Sequence, residues 1–191
     1  MSRVYIDKKD NMKADFDVFF RKYEKNIFNL IYRMVDNYED AVDLTAQTFL
    51  QALRGYDNFK GQSNEYTWIY RIAVNLCKNH YRKKERVGRV NVISLNAAPE
   101  NGTEFDIEDK EVTDPLENVT SKELQRELML AINELTPELR ESLLLRDANG
   151  LSYQEIVEVT GCTLETIKSR IFRARTLLRD RLSPILESHK N

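Results

Sequence analysis

The chain has 191 residues, 41% of them hydrophobic, with a formal net charge of -2, which suits one domain or two small helical cores and does not by itself suggest a nucleic-acid protein. Its 29 basic and 31 acidic side chains are segregated along the sequence, however, and local patches decide where a polyanion docks. Cys77 and Cys162 lack C-x-x-C spacing, the N-terminus MSRVYIDKKD has no apolar signal core and no stretch approaches a membrane span, which excludes a disulfide framework, a zinc motif and membrane insertion and predicts a cytoplasmic protein.

From about Met12 to Val35, Phe16, Phe19, Phe20, Tyr23, Ile27, Leu30, Ile31 and Met34 recur at three and four, predicting an amphipathic helix with an aromatic core face. A second helix is expected from Tyr38, after Asp36 and Asn37, carrying Val42, Leu44, Phe49, Leu50 and Leu53 until Gly55 ends it. Tyr56–Asn64, YDNFKGQSN, reads as a loop around Phe59 and Lys60.

The third helix, about Glu65 to Arg86, carries two faces. Trp68, Ile69, Ile72, Ala73 and Leu76 define the packed side. Arg71, Asn75, Lys78, Asn79, Arg82 and Arg86 fall at i, i+4, i+7, i+8, i+11 and i+15 and form a stripe of cations and amides. Arg and Lys neutralise phosphates, while Asn offers a donor and an acceptor together to a base edge. A merely solvated helix face also carries charge, but amides interleaved with cations favour nucleic acid.

Between about Val87 and Asn118 the pattern breaks. Gly88, Pro99, Gly102 and Pro115 appear, and from Glu100 to Glu117 eight acidic residues stand against the single base Lys110. This is an acidic linker, and as flexible coil it has a relaxed span on the order of 30 Å. The halves can therefore sit well apart.

Past the linker, Thr120 and Glu123 have capping-box spacing ahead of Leu124, Leu128, Ile132 and Leu135, and Thr136–Pro137 reads as an N-cap followed by Pro at the first helical position of a helix ended by Asn149–Gly150. Ser152 and Glu155 form another capping box, Ile156 and Val159 face inward, Gly161 supplies a left-handed turn residue and Thr163 the next cap. The last helix packs Leu164, Ile167, Ile171, Ala174 and Leu178 on one side, with Lys168, Ser169, Phe172, Arg173, Thr176 and Arg179 opposite. This is a helix-turn-helix with a basic outer face, and an exposed aromatic among cations suits thymine methyls or sugar edges. With no convincing strand pattern, the fold class is all-α: two small helical domains joined by an acidic flexible linker, the C-terminal one a helix-turn-helix domain.

The stretches YDNFKGQSNEYTWIYRIAVNLCKNHYRKKER and LTPELRESLLLRDANGLSYQEIVEVTGCTLETIKSRIFRARTLLR resemble regions 2.3–2.4 and region 4 of bacterial RNA polymerase sigma factors of the sigma-70 class, extracytoplasmic-function type. The resemblance covers nearly the whole chain. It implies a region 2-like domain at 1–90, the linker at 91–118 and a region 4-like domain at 119–191. It further implies a non-catalytic subunit without cofactor or metal that binds core polymerase at its clamp, flap and channels and meets promoter DNA as both duplex and melted single strand. Carried over by position, the minus-10 readers are Phe59, Lys60, Gln62, Arg71, Asn75, Lys78, Asn79 and Arg82, and the minus-35 readers Thr163, Lys168, Ser169, Arg170, Phe172 and Arg173, with Arg175 a phosphate or supporting contact. A melted base costs a few kcal/mol to unstack, which aromatic stacking and edge hydrogen bonds offset.

Polymerase contact falls to Asp43, Gln47 and Phe49. In DLTAQTF, Ala46 and Gln47 replace the Gln-Glu pair usual in the family, which alters the charge of that contact. The family also implies an anti-sigma factor among the partners, and a linker whose carboxylates lie against basic polymerase channels. Trp68 keeps a core role on its register with Ile69 and Ile72.

The rival reading is a polymerase-independent helix-turn-helix repressor or activator. The chain shows no sustained heptad for dimerisation, and that reading leaves the basic stripe of the third helix unexplained. An enzyme is not indicated: there is no Gly-rich phosphate loop, and Cys77 with His80 supplies only two metal ligands where a site needs three or four.

Overall fold

The computed structural model describes residues 2–56, 59, 64–90 and 115–188. Within them the chain is helical, with no strand. Helix α1 (Ser2–Val35) buries Phe16, Phe19, Tyr23, Ile27, Leu30, Ile31 and Met34 along one face, as the spacing predicts. Phe20 departs from that expectation: it lies outside the core, edge-on to Phe49 at 4.6 Å between ring centroids. The helix stops at Asp36, which takes a left-handed φ of 53°.

Asn37 then caps α2 (Tyr38–Tyr56), its Oδ1 accepting the Asp40 N–H at 2.9 Å. Leu44 and Phe49 of α2 are buried, whereas Val42, Leu50 and Leu53 are exposed, because they fall on the side turned away from α1 and α3. Gly55 does not end the helix. A Cβ there would meet the Trp68 indole at 3.1 Å, so this glycine permits a close approach of the ring to the α2 backbone.

Helix α3 (Glu65–Val90) starts at Asn64, whose Oδ1 accepts the Tyr66 N–H at 3.2 Å. Ile69, Tyr70, Ala73, Val74 and Cys77 are fully buried, while Trp68, Ile72 and Leu76 pack around the core edge. The buried sector of α3 is thus wider than a single apolar stripe, since α1 and α2 pack against it and a further helix does too.

That further helix belongs to the C-terminal half. Helix α4 (Pro115–Glu134) begins upstream of Thr120, which places Thr120 inside the helix rather than at its cap. Thr136 has the extended backbone of an N-cap, ψ 152°, ahead of α5 (Pro137–Leu143), with Pro137 supplying the preset φ at its start; the Thr136 hydroxyl makes no cap bond. A π-helical turn follows at Leu144–Ala148, closed by the Asn149 N–H on Leu144 O at 3.0 Å, and the turn out of it uses Gly150 at φ 72°. Helices α6 (Tyr153–Thr160) and α7 (Leu164–Ser188) form the helix-turn-helix, with α4 and α5 packed on α7.

The two halves are not apart. Helix α6 lies on α3, and α1 touches α4, α5 and the π turn, so the buried side chains of both halves form one continuous core. Arg140 is the buried polar tie. Its guanidinium donates to Met34 O at 2.7 Å, Ile132 O at 3.1 Å and Leu135 O at 3.4 Å, and also to Asn133 O. These are carbonyls at the C-terminal ends of α1 and α4, where the helix leaves acceptors unsatisfied and the dipole favours a cation.

Candidate nucleic-acid and polymerase interfaces

The helix-turn-helix has the local geometry its sequence requires. The Ser152 hydroxyl accepts the Glu155 N–H at 3.2 Å while the Glu155 carboxylate accepts the Ser152 N–H at 2.8 Å, a reciprocal capping box. Gly161 sits at φ 72°, a left-handed C-cap, and the Thr163 hydroxyl then accepts the Thr166 N–H at 3.3 Å to start α7. Ile167, Ile171 and Ala174 are buried beneath.

On the far side of α7, Lys168, Ser169, Phe172 and Arg173 are all exposed, Phe172 at 73%. An apolar ring of this size left in water beside two cations offers van der Waals contact and positive charge on one open face. Thr163 is exposed beside them at the helix start. Arg170 differs: it is half-buried, and Nη1 lies 3.3 Å from Cys162 Sγ, bracing the turn. Arg175 is held by Asp147 through Nε at 3.0 Å and a second bond from Nη2, a two-point pairing that keeps its charge beside the π turn.

The stripe on α3 divides in two. Asn75, Asn79, Arg82 and Arg86 are exposed. Arg71 and Lys78 instead turn to the C-terminal half. Arg71 Nε donates to Glu158 O at 3.0 Å, and Lys78 Nζ lies 3.5 Å from Thr160 O and 3.0 Å from Glu141 Oε1. Glu141 is buried, and burial lifts its carboxyl above the usual carboxylate range against the opposing pull of Lys78.

Phe59 is stacked on Trp68, with centroids 4.7 Å apart and planes at 27°, while Trp68 also meets Phe19 and Tyr56. The indole therefore closes the aromatic core and serves as the platform for Phe59. Lys60 and Gln62 lie outside the described residues.

On α2, Asp43, Ala46 and Gln47 are exposed in line with Val42, Leu50 and Leu53, while Phe49 is buried underneath and shapes the face from within. The neighbouring Asp40 carboxylate holds Lys84 at 2.8 Å and lies 3.3 Å from His80 Nε2. His80 thus faces Asp40, and Cys77 is sealed in the core, its thiol pushed up to about 12 by burial. No cluster of three metal-ligating side chains occurs among the described residues.

Arg140, Glu141, Tyr66 and Tyr70 carry no signal in the motifs above, and Asn149, expected only to end a helix, also accepts from Tyr66 and Tyr70. The run LRESLLL held one available signal: two adjacent charges inside a leucine-rich turn must be buried with partners or break the packing.

Residues 19–87 match the family model for sigma-70 region 2, and residues 125–178 that for sigma-70, region 4. The chain is 36% identical over 174 residues to the RNA polymerase sigma-H factor of Pseudomonas aeruginosa, spanning 91% of this chain and 89% of that one. It is 34% identical over 178 residues to the ECF RNA polymerase sigma-E factor of Escherichia coli K12, spanning 93% and 91%. In fold it is similar to the sigma factor RpoE solved with the anti-sigma factor NepR from Bartonella quintana, with a TM-score of 0.69 at 24% identity over 88% of this chain and 97% of that one. A second fold neighbour is CnrH, solved with the cytosolic domain of CnrY, at a TM-score of 0.59 and 20% identity over 92% and 90%.

The chain belongs to the sigma-70 family of RNA polymerase sigma factors, extracytoplasmic-function type. It is a promoter-specificity subunit that binds RNA polymerase and recognises promoter DNA, and the polymerase-independent repressor or activator reading is not favoured.

Proposed function

We propose a division of labour among three faces of this sigma factor. The exposed face of α7, Lys168, Ser169, Phe172 and Arg173, with Thr163 at its start, reads the minus-35 element as duplex. The observation that carries this is the open basic-aromatic surface on a fully capped helix-turn-helix. Arg170 and Arg175 support that helix through Cys162 and Asp147.

The α3 stripe, Arg71, Asn75, Lys78, Asn79 and Arg82, with Phe59, Lys60 and Gln62 of the preceding loop, takes the minus-10 element as it melts. Phe59 has a stacking platform in Trp68, and aromatic stacking is how an unpaired base is commonly held. The outer face of α2, with Asp43 and Gln47 over Phe49, meets the polymerase clamp. Three apolar side chains left in water there, Val42, Leu50 and Leu53, are what a protein partner would cover.

The region 2-like unit ends near residue 90 and the region 4-like unit starts near 119. In this reading the acidic stretch 91–118, whose last four residues already form the start of α4, runs through polymerase channels against basic walls, and substituting its acids with amides should weaken initiation. The protein acts in the cytoplasm with polymerase, without a catalytic centre of its own. No helix among the described residues is long and apolar enough to cross a membrane. An anti-sigma factor is a further partner, on the analogy of the Bartonella quintana sigma factor solved with NepR.

Run-off transcription with core polymerase and a promoter library tests the assignment. Asn79→Ala should impair opening or minus-10 preference, and Arg173→Ala should relax minus-35 dependence; identical effects from the two would contradict the division.

A further inference from the structure

The cations of α7 are not equivalent. Lys168 and Arg173 make no ion pair among the described residues, whereas Arg175 and Arg179 each have a carboxylate beside them. Arg179 meets only its chain neighbour Asp180, at 3.4 Å. Arg175 reaches across to another element. Its Nε donates to Asp147 Oδ2 at 3.0 Å and its Nη2 to Asp147 Oδ1, so the guanidinium fork meets both oxygens of one carboxylate. At about 100° per residue, Arg175 falls about 20° from Lys168 and about 60° from Phe172 around the helix axis. It therefore borders the reading face, on the flank nearest the π turn.

Asp147 is fixed from its own side. The preceding Arg146 donates from Nη1 to Leu151 O at 2.7 Å and lies over the Tyr153 ring, 4.9 Å from its centroid, which fastens the π turn to the start of α6. The Arg146 charge is thereby directed to α6, and the Asp147 carboxylate faces Arg175. The pair is nevertheless open to water, with side-chain exposures of 52% and 39%, and an exposed ion pair adds little to fold stability. A DNA phosphate offers a guanidinium the same two-oxygen geometry as a carboxylate. Whichever anion holds the fork excludes the other.

We propose that Asp147 restrains the DNA affinity of the minus-35 reader: it competes with DNA phosphates for Arg175, so that α7 holds DNA through its base-facing side chains more than through the backbone. The inference rests on the minus-35 assignment of α7 made above. Phosphate contacts add affinity to every sequence alike. Withholding one cation at the edge of the reading face keeps that sequence-independent grip weak and leaves Lys168 and Arg173 free for base edges.

The experiment uses holoenzyme assembled from core polymerase and the full chain, with two fluorescein-labelled duplexes: a promoter selected in the run-off library, and the same promoter with its minus-35 bases scrambled. Asp147→Asn should bind both more tightly than wild type. Its affinity should also fall about threefold further between about 50 and about 200 mM salt, the slope that one added phosphate contact contributes. Adding Arg175→Gln to Asp147→Asn should abolish both changes, which separates release of Arg175 from the mere loss of a negative charge near DNA. If Asp147→Asn does not fold, Asp147→Ser carries the same test.

An unchanged salt slope in the folded variants would overturn the proposal and leave the pair a purely structural tie. A gain that persists in the double variant would overturn it too. The Arg173→Ala holoenzyme separates this from the underlying reading. A steeper slope in Asp147→Asn, alongside an Arg173→Ala holoenzyme that still prefers the selected promoter to its scrambled partner, would sustain the restraint on Arg175 and reject the minus-35 assignment.

Discussion

Arg140 is the residue on which the joined halves depend most. It brings a buried cation to four backbone carbonyls from two helix ends, and truncation strands those acceptors in the interior. Arg140→Ala should cost about 2–4 kcal/mol in urea unfolding, because each buried group left unpaired costs roughly 1–3 kcal/mol and some will recover water. Arg140→Lys should recover only part of this, since one ammonium cannot reach all the carbonyls a planar guanidinium spans.

Glu141 gives a pH signature at the same scale. Its carboxyl is lifted by burial above the ordinary 4.5, so the folded chain holds this proton more tightly than the unfolded one. Between 4.5 and the raised value the native state binds more protons, so stability falls as pH rises through that window. Wild type should therefore lose stability relative to Glu141→Gln on going up through that range, and parallel curves would contradict it. Cys77 is the inert counterpart. A buried thiol pushed up to about 12 should resist alkylation at pH 8 until the chain is unfolded, as read by mass spectrometry.

At the scale of elements, most of the helix-turn-helix was legible in the sequence because its determinants are local. Ser152, Glu155, Gly161 and Thr163 act within one turn of themselves, so spacing alone places them. Ser152→Ala should cost about 1 kcal/mol of thermal or urea stability. Gly161→Ala should cost at least as much, since its φ of 72° strains any side chain. The α2 glycine was misread for the opposite reason. Gly55 looked like a terminator, but its role is the approach of Trp68 from another helix, and no local pattern encodes a distant ring.

The same contrast explains α2's outer face. Periodicity marked Val42, Leu50 and Leu53 as apolar without saying whether they point into the protein or towards a partner, and three-helix packing leaves them outside. The α3 stripe was legible as a face of cations and amides. Its division between Arg71 and Lys78, which turn inward, and Asn75, Asn79 and Arg82, which stay exposed, depends on where the C-terminal half lands.

For the whole molecule, composition and linker suggested two halves free to separate, and the structure joins them through one core. In the proposed function they concern different states. In the proposed assignment α7 and α3 meet separate promoter elements, and a chain whose α6 rests on α3 through Arg71 and Lys78 must open to offer both. DNA affinity should fall steeply with salt, and more steeply in the opened chain, because two further cations then release counterions from the phosphates.

The most direct measurement is energy transfer between dyes placed on the exposed residues Lys25 of α1 and Leu177 of α7, read before and after core polymerase is added. The expected result is efficient transfer in the free chain and a marked drop on polymerase binding, before promoter is present. Transfer that stays unchanged through productive initiation would contradict the account.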